Sequence, residues 1–155
     1  MTDKVVIRQS QAKDREFILA LSPRLAEVAH LQWHNDNVVQ KMQDDYIIAM
    51  LSQTDVPCIT LVAENSGAML GFIHVSQHQD SISGELCGTV PLLAVSPAAQ
   101  GQGVGKLLIQ AAESWAKENS YRLLHLEVFA NNTKAHNFYQ GVGFQAETLH
   151  MIKTL

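Results

Sequence analysis

The segment Gln100-Gly101-Gln102-Gly103-Val104-Gly105-Lys106 places three glycines within five residues. An apolar run, Leu92-Leu93-Ala94-Val95, precedes it, and a strongly periodic stretch opening near Val104 follows. Glycines between a strand and a helix leave backbone N–H groups unshielded at the positive end of the helix dipole. That setting suits a phosphate or pyrophosphate. Spacing removes two phosphate loops. The triphosphate loop G-x-x-x-x-G-K-[ST] needs a glycine where Gln100 stands and a hydroxyl where Leu107 stands. The dinucleotide pattern G-x-G-x-x-G takes Gly101 and Gly103 but meets Lys106 at its third position. The loop also lies far from the first strand–helix unit, where that pattern belongs.

Other residues could move protons or bind ions. His74 and His78 share one face of a regular strand, and His30 and His34 would share a helix face. Neither pair has a third ligand at a recognisable spacing, and H-E-x-x-H is absent, so no metal is expected. Glu127 sits in the apolar run Leu126-Glu127-Val128, where a carboxylate must be paired, solvated or functional. Asp44 and Asp45 read as a solvated helix face.

The elements that must hold these residues follow from periodicity and turn chemistry. Val5 to Arg8 reads as a strand and Asp14 to Leu21 as a helix stopped near Ser22-Pro23. Arg24 to Asn37 suggests a helical turn and a loop. Val38 to Leu51 is helical, capped by Asp36 or Asn37, with Val38 or Val39, Met42, Tyr46 and Met50 on one face. Ile59 to Glu64 and Met69 to Ser76 form a hairpin about Asn65-Ser66-Gly67. Leu86 to Val95 is a longer strand. Its Pro91 has no N–H to give to a ladder, which predicts a bulge or a gap there. Val104, Leu107, Leu108, Ala111 and Trp115 make one face of a helix ending near Asn119-Ser120. Leu123 to Val128 reads as a strand, Asn132 to Tyr139 as a helix, and Phe144 and Met151 to Leu155 as closing β segments. The order is that of one mixed α/β domain over residues 1–155 with a central sheet.

Composition excludes several function classes. At 46% hydrophobic and 17% charged residues the chain is globular, with neither disorder nor a coiled coil favoured. A net charge of −4 and the lack of a Lys/Arg cluster argue against nucleic acid as partner. No apolar run approaches the ~18 residues that span a membrane. The N-terminus shows no signal-peptide pattern, and Cys58 and Cys87 lack C-x-x-C spacing. Free thiols suit a reducing cytoplasm, which is the expected location.

Three segments in order make the chain resemble the GNAT superfamily of acyl-CoA-dependent N-acetyltransferases. Leu93 to Pro97 followed by Gln100 to Gly105 matches the superfamily's [QR]-x-x-G-x-[GA]. Asn132 to Tyr139 matches N-x-x-A-x-x-x-Y, and Gly143-Phe144 follows. The match covers residues 85–155 well and the first half by element order alone.

The resemblance implies a mostly antiparallel mixed sheet flanked by helices, with a splayed parallel strand pair that binds CoA. It implies acetyl-CoA as co-substrate, its pyrophosphate on the N–H groups of Gly101, Gln102, Gly103, Val104, Gly105 and Lys106, with Gln100 beside them. Leu93, Ala94 and Val95 would pair with the pantetheine arm, and Asn132 would bond the arm while capping its helix. Tyr139 matches the tyrosine that protonates the departing sulfur.

The base is less legible. Where many members carry an acid, this chain has Thr89, leaving Glu127, placed as in the ribosomal-protein N-terminal acetyltransferases, or Glu85. A water relay with no dedicated base is also open. The expected reaction is direct attack of a primary amine on acetyl-CoA in a ternary complex, with a homodimer left open. A catalytically impaired CoA-binding sensor is the alternative.

Overall fold

The computed structural model describes residues 4–27 and 30–155. Five strands form one sheet in the order β1-β2-β3-β4-β5: β1 (Val6–Gln9), β2 (Cys58–Asn65), β3 (Ala68–Gln79), β4 (Leu86–Val95) and β5 (Leu124–His125). The first four run antiparallel to their neighbours; β4 and β5 run parallel. Helices α1 (Arg15–Ala20), α2 (Ser22–Ala26) and α3 (Asp36–Leu51) come before β2; α4 (Val104–Glu118) and α5 (Thr133–Gly141) come after β4.

Alternation along the strands divides the core into two layers. Ile73, Val75 and Val90 face α4, against Val104, Leu108, Ile109 and Ala112. Phe72, Val62, Leu92 and Ala94 face the other way, against Ile18, Leu21 and Ile47 of the α1–α3 layer.

Asp14 anchors the start of the chain. The Arg8 guanidinium donates to both of its carboxylate oxygens, at 2.8 and 2.9 Å, and also reaches Glu64 at 3.0 Å. That pairing holds the 3%-exposed Asp14 carboxyl down at about 2. A lowered carboxyl stabilises the fold above its unfolded value near ~3.9, and the contribution fades as pH falls through about 2. Asp14→Asn is therefore expected to cost about 1–3 kcal/mol at pH 7, leaving Arg8 under-satisfied. Urea unfolding at a series of pH values checks it: the gap between variant and wild type should close as pH drops from ~4 towards ~2.

The chain departs from expectation at several places. Helix α1 ends at Ala20, just ahead of Ser22-Pro23 as expected, but that pair also opens α2, because proline is tolerated in a first turn whose N–H groups are unpaired anyway. Asn35, rather than Asp36 or Asn37, caps α3, its side chain accepting from the Val38 N–H at 2.9 Å. The buried face of α3 is Val39, Gln43 and Ile47; Val38, Met42 and Tyr46 are exposed. His30 and His34 lie in the irregular segment before α3 and share no helix face. Strand β5 ends at His125 instead of Val128. Phe144 and Met151–Leu155 form no strand, and Leu149, Met151 and Leu155 are exposed. Among the described residues no helix is long and apolar enough to cross a membrane.

Candidate active site

The bulge predicted at Pro91 shapes the site. Pairing of β3 with β4 slips between His74↔Leu92 and Ser76↔Thr89, so Val90 and Pro91 together oppose Val75. Before the bulge β4 pairs with β5 at only two positions, Gly88↔Leu124 and Thr89↔His125. Beyond it, β4 continues to Val95 on β3 alone, and Leu126–Val128 pair with nothing. The parallel strands thus part after two residues. The β5-facing edge of Leu92–Val95 is left without a strand, which explains why β5 is shorter than its sequence suggests.

The glycine loop sits at the end of this opening. Gly101 and Gly103 hold φ of 81° and 77°, the left-handed region that side chains resist, and nothing lies within 4 Å of either missing Cβ. Gly103 is the N-cap of α4, and the Leu107 N–H is the first to bond back, to the Gly103 carbonyl at 3.2 Å. The N–H groups of Gly101, Gln102, Gly103, Val104, Gly105 and Lys106 donate to nothing among the described residues. Six consecutive free donors at the foot of a 15-residue helix make a ready anion site. Gly105 serves packing as well: a Cβ there would stand 3.2 Å from Cζ of Phe138 on α5.

Helix α5 forms the far lip. Asn132 caps it, Oδ1 accepting from the Ala135 N–H at 3.2 Å, so the side-chain amide N–H groups stay available. Lys134 Nζ donates to Gln100 Oε1 at 3.3 Å and places a positive charge at the loop. Lys134 escaped the sequence reading because the loop-to-α5 contact is long-range; its place inside the Asn132–Tyr139 motif was the signal. Tyr139 packs edge-on to Phe138 (5.3 Å between centroids) and Phe144 (5.8 Å). Burial pushes its phenol up to about 12.

The carboxylates separate. Glu85 precedes β4, at the end remote from Val95, and forks onto Arg122, which holds it below the usual carboxylate range. Glu127 is exposed and without an ion-pair partner among the described residues. It lies close enough to Tyr46 on α3 that its charge adds to burial in raising that phenol. Asp44 accepts from Ser22 (2.7 Å) and Gln40 (2.8 Å), and Asp45 pairs with Lys41 (2.7 Å). Val38, Lys41, Met42, Asp45, Tyr46 and Ala49 line an open hollow of about 570 Å³ on this outer face of α3.

The histidines divide too. His74 is 2% exposed, with Nδ1 2.7 Å from Thr60 Oγ1, and burial drops its pKa to about 4, so it is neutral. His78 is exposed beside His125. Among the described residues no three His, Cys, Asp or Glu side chains are grouped to hold a metal ion.

Known proteins resemble this chain in sequence and in fold. The chain is 39% identical over 93 residues to a mycothiol acetyltransferase of Jonesia denitrificans, covering 60% of this chain but 28% of that protein. It is 28% identical to an aminoglycoside N(6')-acetyltransferase type 1 of Acinetobacter haemolyticus, covering 77% and 74%. The chain thus spans 26–36% of the length of the mycothiol acetyltransferases it matches. Its fold superposes on the aminoglycoside N-acetyltransferase AAC(6')-Iy in complex with CoA with a TM-score of 0.72, at 21% identity over 99% of this chain and 97% of that one. The family model described as Acetyltransferase (GNAT) family matches residues 24–144, and the chain belongs to that family.

Proposed function

We propose that the protein transfers an acetyl group from acetyl-CoA to a primary amine by direct attack. The observation that carries this reading is the run of free N–H groups from Gly101 to Lys106, opening beside a parallel strand pair that parts after two residues. That loop suits a pyrophosphate, with Lys134 adding charge. The unpaired edge of Leu93, Ala94 and Val95 offers backbone groups to the amide-bearing pantetheine arm, and Asn132 offers its free amide N–H. The CoA in the AAC(6')-Iy complex supports the same assignment.

In the reaction the amine nitrogen bonds to the acetyl carbon and the carbon–sulfur bond breaks. Tyr139 supplies a proton to the sulfur, a task suited to a neutral phenol. The acceptor lies in the hollow on α3, where Met42 and Tyr46 give an apolar wall and Glu127 attracts and orients an ammonium. Glu85, committed to Arg122, takes no part in proton transfer. The two free thiols suit a cytoplasmic setting.

The sensor reading keeps one supporting observation, the Thr89 hydroxyl where an acid was expected. Thiol release from acetyl-CoA, measured against a panel of amino sugars, aminoglycosides and peptide N-termini, decides between them. Turnover with at least one amine is expected. Tight CoA binding without turnover of any amine would establish the sensor instead.

A further inference from the structure

Thr89 cannot accept a proton at neutral pH, yet the structure sets a histidine beside it. Thr89 and His125 are register partners in the parallel pair, so their side chains leave the sheet on one face. Ser76 pairs with Thr89 from the other side, and His78 lies two residues further along β3. This is the face that carries α1–α3 and, beyond β5, Glu127.

His125 is not a free imidazole. Its Nε2 is buried and lies 3.2 Å from Asp80 Oδ1, a close charge contact without hydrogen-bond geometry, and has no hydrogen-bond partner among the described residues. Asp80 is 4% exposed at the turn between β3 and β4. Its second oxygen, Oδ2, accepts from the Ser83 N–H at 2.7 Å and the Ser83 hydroxyl at 2.8 Å. The turn itself is closed by two backbone bonds of 2.8 Å, Asp80 N–H to the Glu85 carbonyl and Gly84 N–H to the Asp80 carbonyl. One carboxylate oxygen is therefore saturated, and the other lies beside the ring's Nε2. The Ser83 bonds also hold the Asp80 carboxyl below the usual range, so it stays ionised.

A carboxylate beside Nε2 favours the tautomer that carries its proton there, which leaves the Nδ1 lone pair as the basic site. The side chain is 26% exposed while Nε2 is buried, so the ring presents its other edge outward. The other titratable groups around it are few. His78 packs with its ring tilted at 58° and its centroid 5.5 Å away, Cys87 is the buried register partner of His78, and Tyr121 lies near Cys87. Glu127 is two residues on, and Glu85 is occupied by Arg122.

We infer that His125, oriented by Asp80, is the general base that takes the acceptor's proton. The inference rests on the acetyl-transfer reading above. As the amine nitrogen bonds to the acetyl carbon, its proton passes to His125 Nδ1, directly or through one water. The electron pair of the broken carbon–sulfur bond stays on sulfur, which Tyr139 protonates. Asp80 stabilises the imidazolium and acts only through the ring.

The test is the pH profile of kcat with the panel amine that turns over fastest, on wild type, H125Q, D80N and E127Q, with CoA affinity and Tm measured on each. Wild type should show an acidic limb that matches the His125 titration followed by NMR of its ring in the CoA-bound enzyme. H125Q should remove that limb and lower kcat about 10²- to 10⁴-fold. D80N should lower kcat with KM, CoA affinity and Tm held, because the ring loses the carboxylate that positions it. E127Q should raise KM and leave the limb in place. Wild-type turnover with the limb retained in H125Q and kcat unchanged in D80N overturns the inference, as does its loss in E127Q alone. If H125Q does not fold, D80N and the NMR titration decide alone. Wild type that binds CoA but acetylates no amine overturns the acetyl-transfer reading itself, and the base with it.

Discussion

Tyr139→Phe is expected to lower kcat about 10²- to 10⁴-fold while leaving CoA affinity within about twofold of wild type, the range for loss of a positioned general acid. The substitution removes one oxygen and keeps the ring that packs against Phe138 and Phe144, so the end of α5 should hold its place. The departing thiolate, with a pKa near ~8.5, gains from a proton as the carbon–sulfur bond breaks. Burial pushes the Tyr139 phenol up to about 12, and the sign of that shift favours the role. A raised phenol pKa extends the protonated, donating form to higher pH, so Tyr139 should impose no alkaline limb until pH approaches about 12. Pre-steady-state thiol release and calorimetric CoA binding make the check. A phenylalanine variant with wild-type kcat would reduce Tyr139 to a packing residue.

Gly103→Pro should weaken CoA binding about 10- to 150-fold, the equivalent of one hydrogen bond to a charged group, about 1.5–3 kcal/mol. Proline removes the Gly103 N–H and cannot adopt a φ of 77°, so the neighbouring donors also lose their aim. The loop is exposed and open, which keeps the damage local. Gly67→Ala in the turn between β2 and β3 is the control. Its φ is 85°, again with nothing within 4 Å, so it strains the backbone without touching the loop. It should lower Tm and leave CoA affinity unchanged. Equal loss of affinity in both variants would mean that backbone strain, rather than the anion site, sets CoA binding.

The legible parts of this fold obey local rules. A left-handed φ demands glycine at 101 and 103. A missing N–H places the bulge at Pro91. A 3.6-residue period marks α4, whose Val104 and Leu108 are fully buried. The glycine rule also marked the candidate anion loop, whereas Tyr139 was marked by the resemblance to the family motif. Local rules failed on α3, where two apolar stripes compete. Packing against Phe72 and Leu92 buries the side holding Ile47, leaving Val38, Met42 and Tyr46 to line the hollow. They failed again at Leu126–Val128, because a strand needs a neighbour and β4 turns away.

By itself the sequence marked the loop proposed for the donor, since a run of backbone N–H groups at a helix start depends on residue types close together in the chain. Tertiary structure alone brought together the groups proposed for the acceptor. Register between β4 and β5 sets His125 beside Thr89, a turn brings Asp80 to its ring, and α3 carries Tyr46 towards Glu127. Each of these joins residues remote in sequence, and side-chain pairing across elements leaves no periodic trace along the chain.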